Sequence, residues 1–132
     1  MFLDILNNEE KELFLDLAIK AAEANGEVAK EEKEMLHAFA YEMKIKSRFT
    51  STKSLADVLN VFKEKSSKRS MRIVAFELIG ILFADSEFDD AEKAFLSDVT
   101  NVLEIPESII NEMLSEITDY SAIYKKICKT VL

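Results

Sequence analysis

Apolar residues recur every three or four positions along almost the whole chain, and this spacing is typical of amphipathic helices. The first predicted helix begins near Asn8, where Asn7 or Asn8 can cap it and Glu9 favours the positive helix start. It ends at Asn25-Gly26, because both residues tolerate the left-handed conformation found at helix ends. The pattern therefore opens with a capped helix of about five turns.

The same reasoning predicts six further helices, each bounded by a polar connection or a capping residue. Ser54 and Asp57 form a capping-box-like pair for the third helix, and Asp89 begins the fifth in the same way. Pro106 opens the sixth helix, and Asp119 is expected to cap the seventh. The helices predicted after the first cover about residues 30–43, 55–64, 71–84, 90–103, 106–117 and 120–132.

Composition supports a purely helical fold. Glycine and proline occupy 3 of the 132 positions, so β-hairpins and glycine-rich phosphate loops have almost no material. With 48% apolar and 32% charged residues, residues 1–132 are expected to form one all-helical domain. The longest apolar run, residues 73–84, contains Glu77 and is too short to cross a bilayer, so we interpret it as a buried helix. A single cysteine, with no apolar leader after Met1, favours the cytoplasm.

The net charge of −8 is distributed in blocks along the chain. Residues 1–43 carry 4 basic and 11 acidic side chains, residues 44–72 carry 9 and 2, and residues 73–124 carry 1 and 12. An acidic body opposes binding to phosphate backbones, so a nucleic-acid partner is disfavoured. Most charge runs are simply solvated, but segment 44–72 is the one candidate surface for anions. It could contact phosphate headgroups of a membrane, a nucleic-acid backbone or the acidic region of a second copy, and a protein or membrane-surface partner is the favoured one of these.

Two helical hairpins are related by a shift of sixty positions, which aligns residues 14–45 with residues 74–105. Seven of the 32 aligned positions are identical, and the alignment places the Ala-Asn-Gly-Glu-Val turn at 24–28 over Ala-Asp-Ser-Glu-Phe at 84–88. A fixed internal period is the signature of repeated supersecondary units. Hairpins with similar caps can also look alike without being repeats. We expect repeat units at about residues 9–45 and 69–105, with that alternative open.

In these two turns the chain resembles the TerB tellurite-resistance family and its TerB-like relatives. The resemblance implies an all-helical bundle of about seven helices with two pseudo-symmetric helix-turn-helix repeats. It also implies a cytoplasmic role in a bacterial or phage stress response, metal-ion binding and membrane-linked partners. The chain departs from the family pattern at Asn25, Ser86 and Ala29, where Asp, Gly and a capping residue are usual. These departures weaken an acidic site in the first turn.

The acidic turns are the candidate metal site, because Ca²⁺ and Mg²⁺ prefer six or more oxygen ligands. Pseudo-two-fold packing would bring the two turns together, and a cation would offset their repulsion. The candidate ligands are Glu27, Glu32, Asp85, Glu87, Asp89 and Glu92. The spacing is not that of an EF-hand. The alternative is an ordinary helix N-terminus, in which Asp89 and Glu92 only cap the fifth helix.

Other catalytic chemistry finds little support in the sequence. His37 is the single histidine, which excludes a zinc site with several histidines and a di-iron site. We interpret it as a surface histidine or one with satisfied hydrogen bonds. Cys128 lies among Ile123, Ile127 and Val131, which indicates a packing role for the thiol. The phosphate-binding glycine motifs are absent from the sequence.

The sequence therefore predicts a non-enzymatic protein-interaction module that binds a protein partner and a divalent ion at the acidic turns. One alternative is a metal-dependent enzyme or phosphate-handling protein that uses Asp85, Glu87 and Asp89. A second alternative is a helical homo-oligomer whose acidic and basic faces pair between copies. A peripheral, membrane-linked complex is a further expectation for its partners.

Overall fold

In the computed structural model, which describes residues 1–24, 26, 28–83 and 89–132, all regular structure is helical. The all-helical class is thus confirmed for this part of the chain. A 3-10 turn, Leu3–Ile5, precedes the α-helices. Six α-helices follow: α1 (Asn8–Glu23), α2 (Lys30–Met43), α3 (Leu55–Lys65), α4 (Lys68–Leu82), α5 (Asp90–Val102) and α6 (Glu107–Val131).

Side-chain caps set the starts of four helices. The side chain of Asn7 caps α1 by accepting the backbone N–H of Glu10 at 2.8 Å. The Glu10 carboxylate in turn accepts the backbone N–H of Asn7 at 3.0 Å, which completes a capping box. Ser54 caps α3 and Asp89 caps α5, as predicted. Ser67 caps α4, so this helix begins at Lys68, three residues before the predicted start. Because the Ser67 hydroxyl caps α4, this helix begins inside the polar segment that the sequence predicts to be the connection between the third and fourth helices.

The predicted seventh helix is wrong, because α6 runs without a break from Glu107 to Val131. Asp119 lies inside α6 and is exposed, so water solvates its carboxylate and it does not cap a new helix. The neighbouring Thr118 hydroxyl donates to the carbonyl of Leu114 at 2.8 Å. Its hydrogen bond is therefore made within α6. No glycine or proline interrupts residues 107–131, so nothing in the backbone forces a break.

Helices α1 and α4 lie at the centre of the packing. Helix α1 packs against α2, α3 and α4, and α4 packs against α5 and α6. Phe14, Phe62 and Leu78 are fully buried where these helices meet. Burial of side chains this large contributes about 1.5–3 kcal/mol each. Within the described residues, every helix is too short or too polar to cross a membrane.

The shift of sixty positions also relates helix bounds. It carries α1 onto α4 and α2 onto α5 with ends that differ by at most one residue. It relates Lys44 to Glu104, which follow α2 and α5 closely and are both left-handed, with φ of 59° and 55°. After them, the N–H of Ile45 and that of Ile105 donate to carbonyls five residues back. The two hairpins therefore end in the same backbone turn.

Candidate docking surface

Two of the three described members of the predicted metal site act in helix capping. The Glu32 carboxylate accepts the N–H of Ala29 at 3.0 Å, and the Asp89 carboxylate accepts the N–H of Glu92 at 2.8 Å. Glu92 is buried near the start of α5. The other three candidates, Glu27, Asp85 and Glu87, lie outside the described residues. Among the described residues, no group of three or more acidic, histidine or cysteine side chains could hold a metal ion.

The basic segment is only partly a free surface, because long-range ion pairs engage several of its cations. Arg48 contacts the buried Asp16 carboxylate at 2.6 Å, and the hydroxyl of Ser51 donates to the same oxygen at 2.7 Å. The guanidinium of Arg48 also donates to the Glu12 carbonyl at 3.0 Å. Lys53 lies 3.6 Å from the other Asp16 oxygen. These contacts hold the loop between α2 and α3 against α1.

Three further cations of the segment pair with carboxylates elsewhere in the chain. Their pairs are Lys44 with Asp4, Lys63 with Glu104, and Lys65 with Glu9, at 3.3–3.7 Å. Lys11 donates to Asp4, and this bond, with the charge of Lys44, lowers the pKa of the Asp4 carboxyl. Unlike these paired cations on the body of the molecule, the three at the start of α4, Lys68, Arg69 and Arg72, line a groove.

This groove has a volume of about 1150 Å³ and is lined by the chain start, one face of α4 and one face of α6. Its apolar wall includes Phe2, Ile73, Phe76 and Tyr120. The rings of Phe2 and Phe76 meet edge to face, with centroids 5.7 Å apart. Since α4 is 15 residues long, the wall extends for about 22 Å, or four helical turns. These dimensions suit a helix better than a compact metabolite.

Two carboxylates fix the chain start at the edge of the groove. Glu77, buried on α4, accepts the N–H of Phe2 at 2.7 Å and lies 3.0 Å from the Met1 amino group. Glu42, on α2, accepts the N–H of Leu3 at 3.1 Å and bonds to the same amino group. Burial alone would lower the pKa of the Met1 amino group, but hydrogen bonds to Glu42 and Glu77 outweigh burial and raise it. The first residues thereby join α2 to α4.

The second half of α6 extends beyond this groove with its apolar side uncovered. Tyr120, Ile123, Tyr124, Ile127 and Val131 each leave between 53% and 72% of their surface exposed. They lie on one face, at the spacing that amphipathic helices use. Tyr120 and Tyr124 also line the groove, so the groove and this exposed face form one continuous surface. We call it the α4–α6 surface.

The sequence contains a signal for this surface that capping arguments miss. Apolar residues occupy the a and d positions of three consecutive heptads: Ile110, Met113, Ile117, Tyr120, Tyr124, Ile127 and Val131. A heptad pattern of this kind indicates helix pairing. The break predicted at Asp119 divides the pattern, and the two halves then resemble ordinary core stripes.

No protein-family model matches the chain, and neither the curated proteins nor the solved structures contain a match.

Proposed function

We propose that the chain is a protein-interaction module that binds an amphipathic helix on the α4–α6 surface. The observation that carries the proposal is the exposed apolar face of α6, which continues into a groove of helical dimensions. Large contiguous apolar patches rimmed by polar groups mark interaction sites on folded proteins. Binding a helix in such a groove is a recurrent mode of recognition.

The charges around the groove define the partner. Lys68, Arg69 and Arg72 line it together with Glu77 and Glu116. A partner helix with an apolar stripe and carboxylates near the start of α4 would complement the three cations. Tyr120 and Tyr124 offer anchors of the type that dominates binding energy at protein interfaces. The proposal is therefore a non-enzymatic binding role.

We also propose that the two hairpins are copies of one unit, in the manner of the TerB-like fold. The common bounds of α1 with α4 and of α2 with α5 support this proposal, as do the matching turns after α2 and α5. Helix α3 packs against α1, and α6 packs against α4, the equivalent of α1. Helix α3 also packs against α5, whereas the equivalent of α5, which is α2, packs against the 3-10 turn beside the groove. In a duplicated fold, the α4–α6 surface is thus where the second copy departs from the first.

The test uses a synthetic three-heptad peptide with leucine at positions a and d and mixed Glu and Lys elsewhere. Fluorescence anisotropy with nanomolar labelled peptide should show saturable binding to the full chain. Phe76→Lys should weaken binding at least tenfold, because it places a charge in the groove wall. Ala38→Lys, on the exposed face of α2, is the matched control and should bind like the wild type.

A peptide with the same residues in an order without heptads controls for nonspecific adhesion. Equal binding of the two peptides, or unchanged binding by Phe76→Lys with an intact fold, would contradict the proposed function.

A further inference from the structure

Helix α6 has an uneven distribution of charge along its length. Its first half carries Glu107, Glu112, Glu116 and Asp119 and no basic residue, and its second half carries Lys125, Lys126 and Lys129 and no acidic residue. Two parallel α6 helices would place like charges together. Two antiparallel α6 helices would place each acidic half beside a basic half and would also oppose the helix dipoles favourably.

The apolar face of α6 also changes near the middle of the helix, from buried to exposed. Ile110 and Met113, in the first half, are buried against the body of the molecule. Tyr124, Ile127 and Val131, in the second half, continue the same heptad stripe but are exposed. An exposed helix of this length is marginal in water without a packing partner, so the second half is the part that needs one.

From these observations we infer that the partner helix is α6 of a second copy, and that two copies pair along their α4–α6 surfaces with the two α6 helices antiparallel. This inference rests on the proposed function and identifies its partner helix. Ser121, midway between Glu116 and Lys126, lies at the two-fold axis and lines the groove. Its small side chain permits close approach where the helices cross. The acidic first half of one helix then faces the lysines of the other.

The geometry is self-complementary, as a two-fold interface requires. Each copy contributes one exposed half-helix and one groove, and the groove wall includes Met113, Glu116 and Ile117 from the first half of α6. The 25 residues of α6 span about 37 Å, so the helix is longer than the wall of α4, which extends for about 22 Å. Each of the two contacts includes Tyr120 and Tyr124, and aromatic side chains bury about 150–250 Å² each toward the ~1,600 Å² of a standard interface.

A membrane surface is the competing occupant. An apolar face opposite lysines is also typical of helices that lie on anionic membranes. The acidic first half of α6 and the net charge of −8 oppose binding to an anionic membrane. The division of α6 into an acidic and a basic half favours a partner helix with the opposite order of charges. A second copy satisfies the charges of both halves at once.

Cysteine cross-linking distinguishes these arrangements. The wild type has one cysteine, Cys128, which in an antiparallel pair lies about 20 Å from its counterpart across the axis. Ser121→Cys combined with Cys128→Ser moves the single thiol to the axis. Treated with a short bismaleimide, this variant should become a covalent dimer, and the wild type should remain uncross-linked. Circular dichroism and melting should show that both chains fold alike.

Three results would overturn the inference. Efficient cross-linking through Cys128 would mean parallel helices. A monomer at all concentrations by sedimentation, with no covalent dimer of the Ser121→Cys variant, would mean that a second copy is not the occupant. Flotation of the monomer with phosphatidylserine vesicles would assign the face to membranes. If the monomeric chain still binds the heptad peptide, the proposed function survives and only its partner is wrong.

Discussion

Lys44 and Glu104 lie sixty positions apart and adopt the same left-handed backbone conformation after α2 and α5. Both side chains are exposed and each makes one surface ion pair, Lys44 with Asp4 and Glu104 with Lys63. A residue with a Cβ is strained in this conformation, by about 1 kcal/mol relative to glycine. The hairpins therefore end in the same strained turn, although neither position is a glycine.

Removing this strain should stabilise the chain. We expect Lys44→Gly and Glu104→Gly each to be about 1 kcal/mol more stable than the alanine variant at the same position. Both the glycine and the alanine variant lose the surface ion pair, which contributes about 0–1 kcal/mol, so its loss cancels when the two are compared. Urea unfolding measures the difference. Glycine variants no more stable than the alanine variants would contradict the left-handed assignment.

The ion pair between Asp16 and Arg48 should be the most sensitive polar contact outside the α4–α6 surface. Only 4% of the Asp16 side chain is exposed, and its removal leaves Arg48 without its 2.6 Å partner. We expect Asp16→Ala to lower the free energy of unfolding by about 3 kcal/mol. Glu12→Ala, which removes a more exposed carboxylate 3.5 Å from the same guanidinium, should cost less than about 1 kcal/mol. Equal losses in chemical unfolding would argue against a central role for Asp16.

The chain start should confer a pH dependence. The folded pKa of the Met1 amino group is raised above its ordinary value of 8.0, so its contribution is full below pH 8 and is lost as the pH rises through the folded value. Because 49% of the Met1 side chain is exposed, the contribution should not exceed about 1 kcal/mol. Melting temperatures between pH 7 and pH 10 should fall more for the wild type than for a Glu42→Gln, Glu77→Gln variant. Parallel curves would exclude this source of stability.

The metal prediction can be tested on the intact chain. If the acidic turns bind Ca²⁺ or Mg²⁺, millimolar ion should raise the melting temperature by mass action. Asp85→Asn with Glu87→Gln should abolish the increase, whereas Glu107→Gln, at the start of α6, should leave it unchanged. An unchanged wild-type melt at millimolar ion would remove the prediction. An equal increase in all three proteins would point to general screening of negative charge.

The sequence was sufficient to predict the elements whose signals are local. Caps are local signals, because a side chain bonds to an N–H three residues away, and Asn7, Ser54 and Asp89 all cap where expected. The heptad stripe is local too, but it shows only that α6 needs a neighbour. Asp119 misled because aspartate is common at helix starts and is also tolerated on an exposed helical face.

The contacts that fix the candidate site and the loop between α2 and α3 are not local. Arg48 and Asp16 are 32 positions apart, and Phe2 and Glu77 are 75 apart. Charge counting gives segment 44–72 a large positive balance, but it cannot show that Arg48 and Lys53 are paired with Asp16 whereas Lys68 lines a groove. Whether a cation of this segment is paired or lines the groove depends on how α1 and α4 pack. That packing cannot be predicted from residues close to each other in the sequence.

The most direct test of the α4–α6 surface as a docking site is amide hydrogen exchange over residues 118–131 at increasing protein concentration. In an isolated copy this half-helix is exposed and marginal, so its amides should exchange quickly at low concentration. Pairing through the surface predicts that protection rises with concentration in this segment, while protection of α1 stays constant. Rapid exchange of residues 118–131 at every concentration, also when saturating heptad peptide is present, would contradict the account.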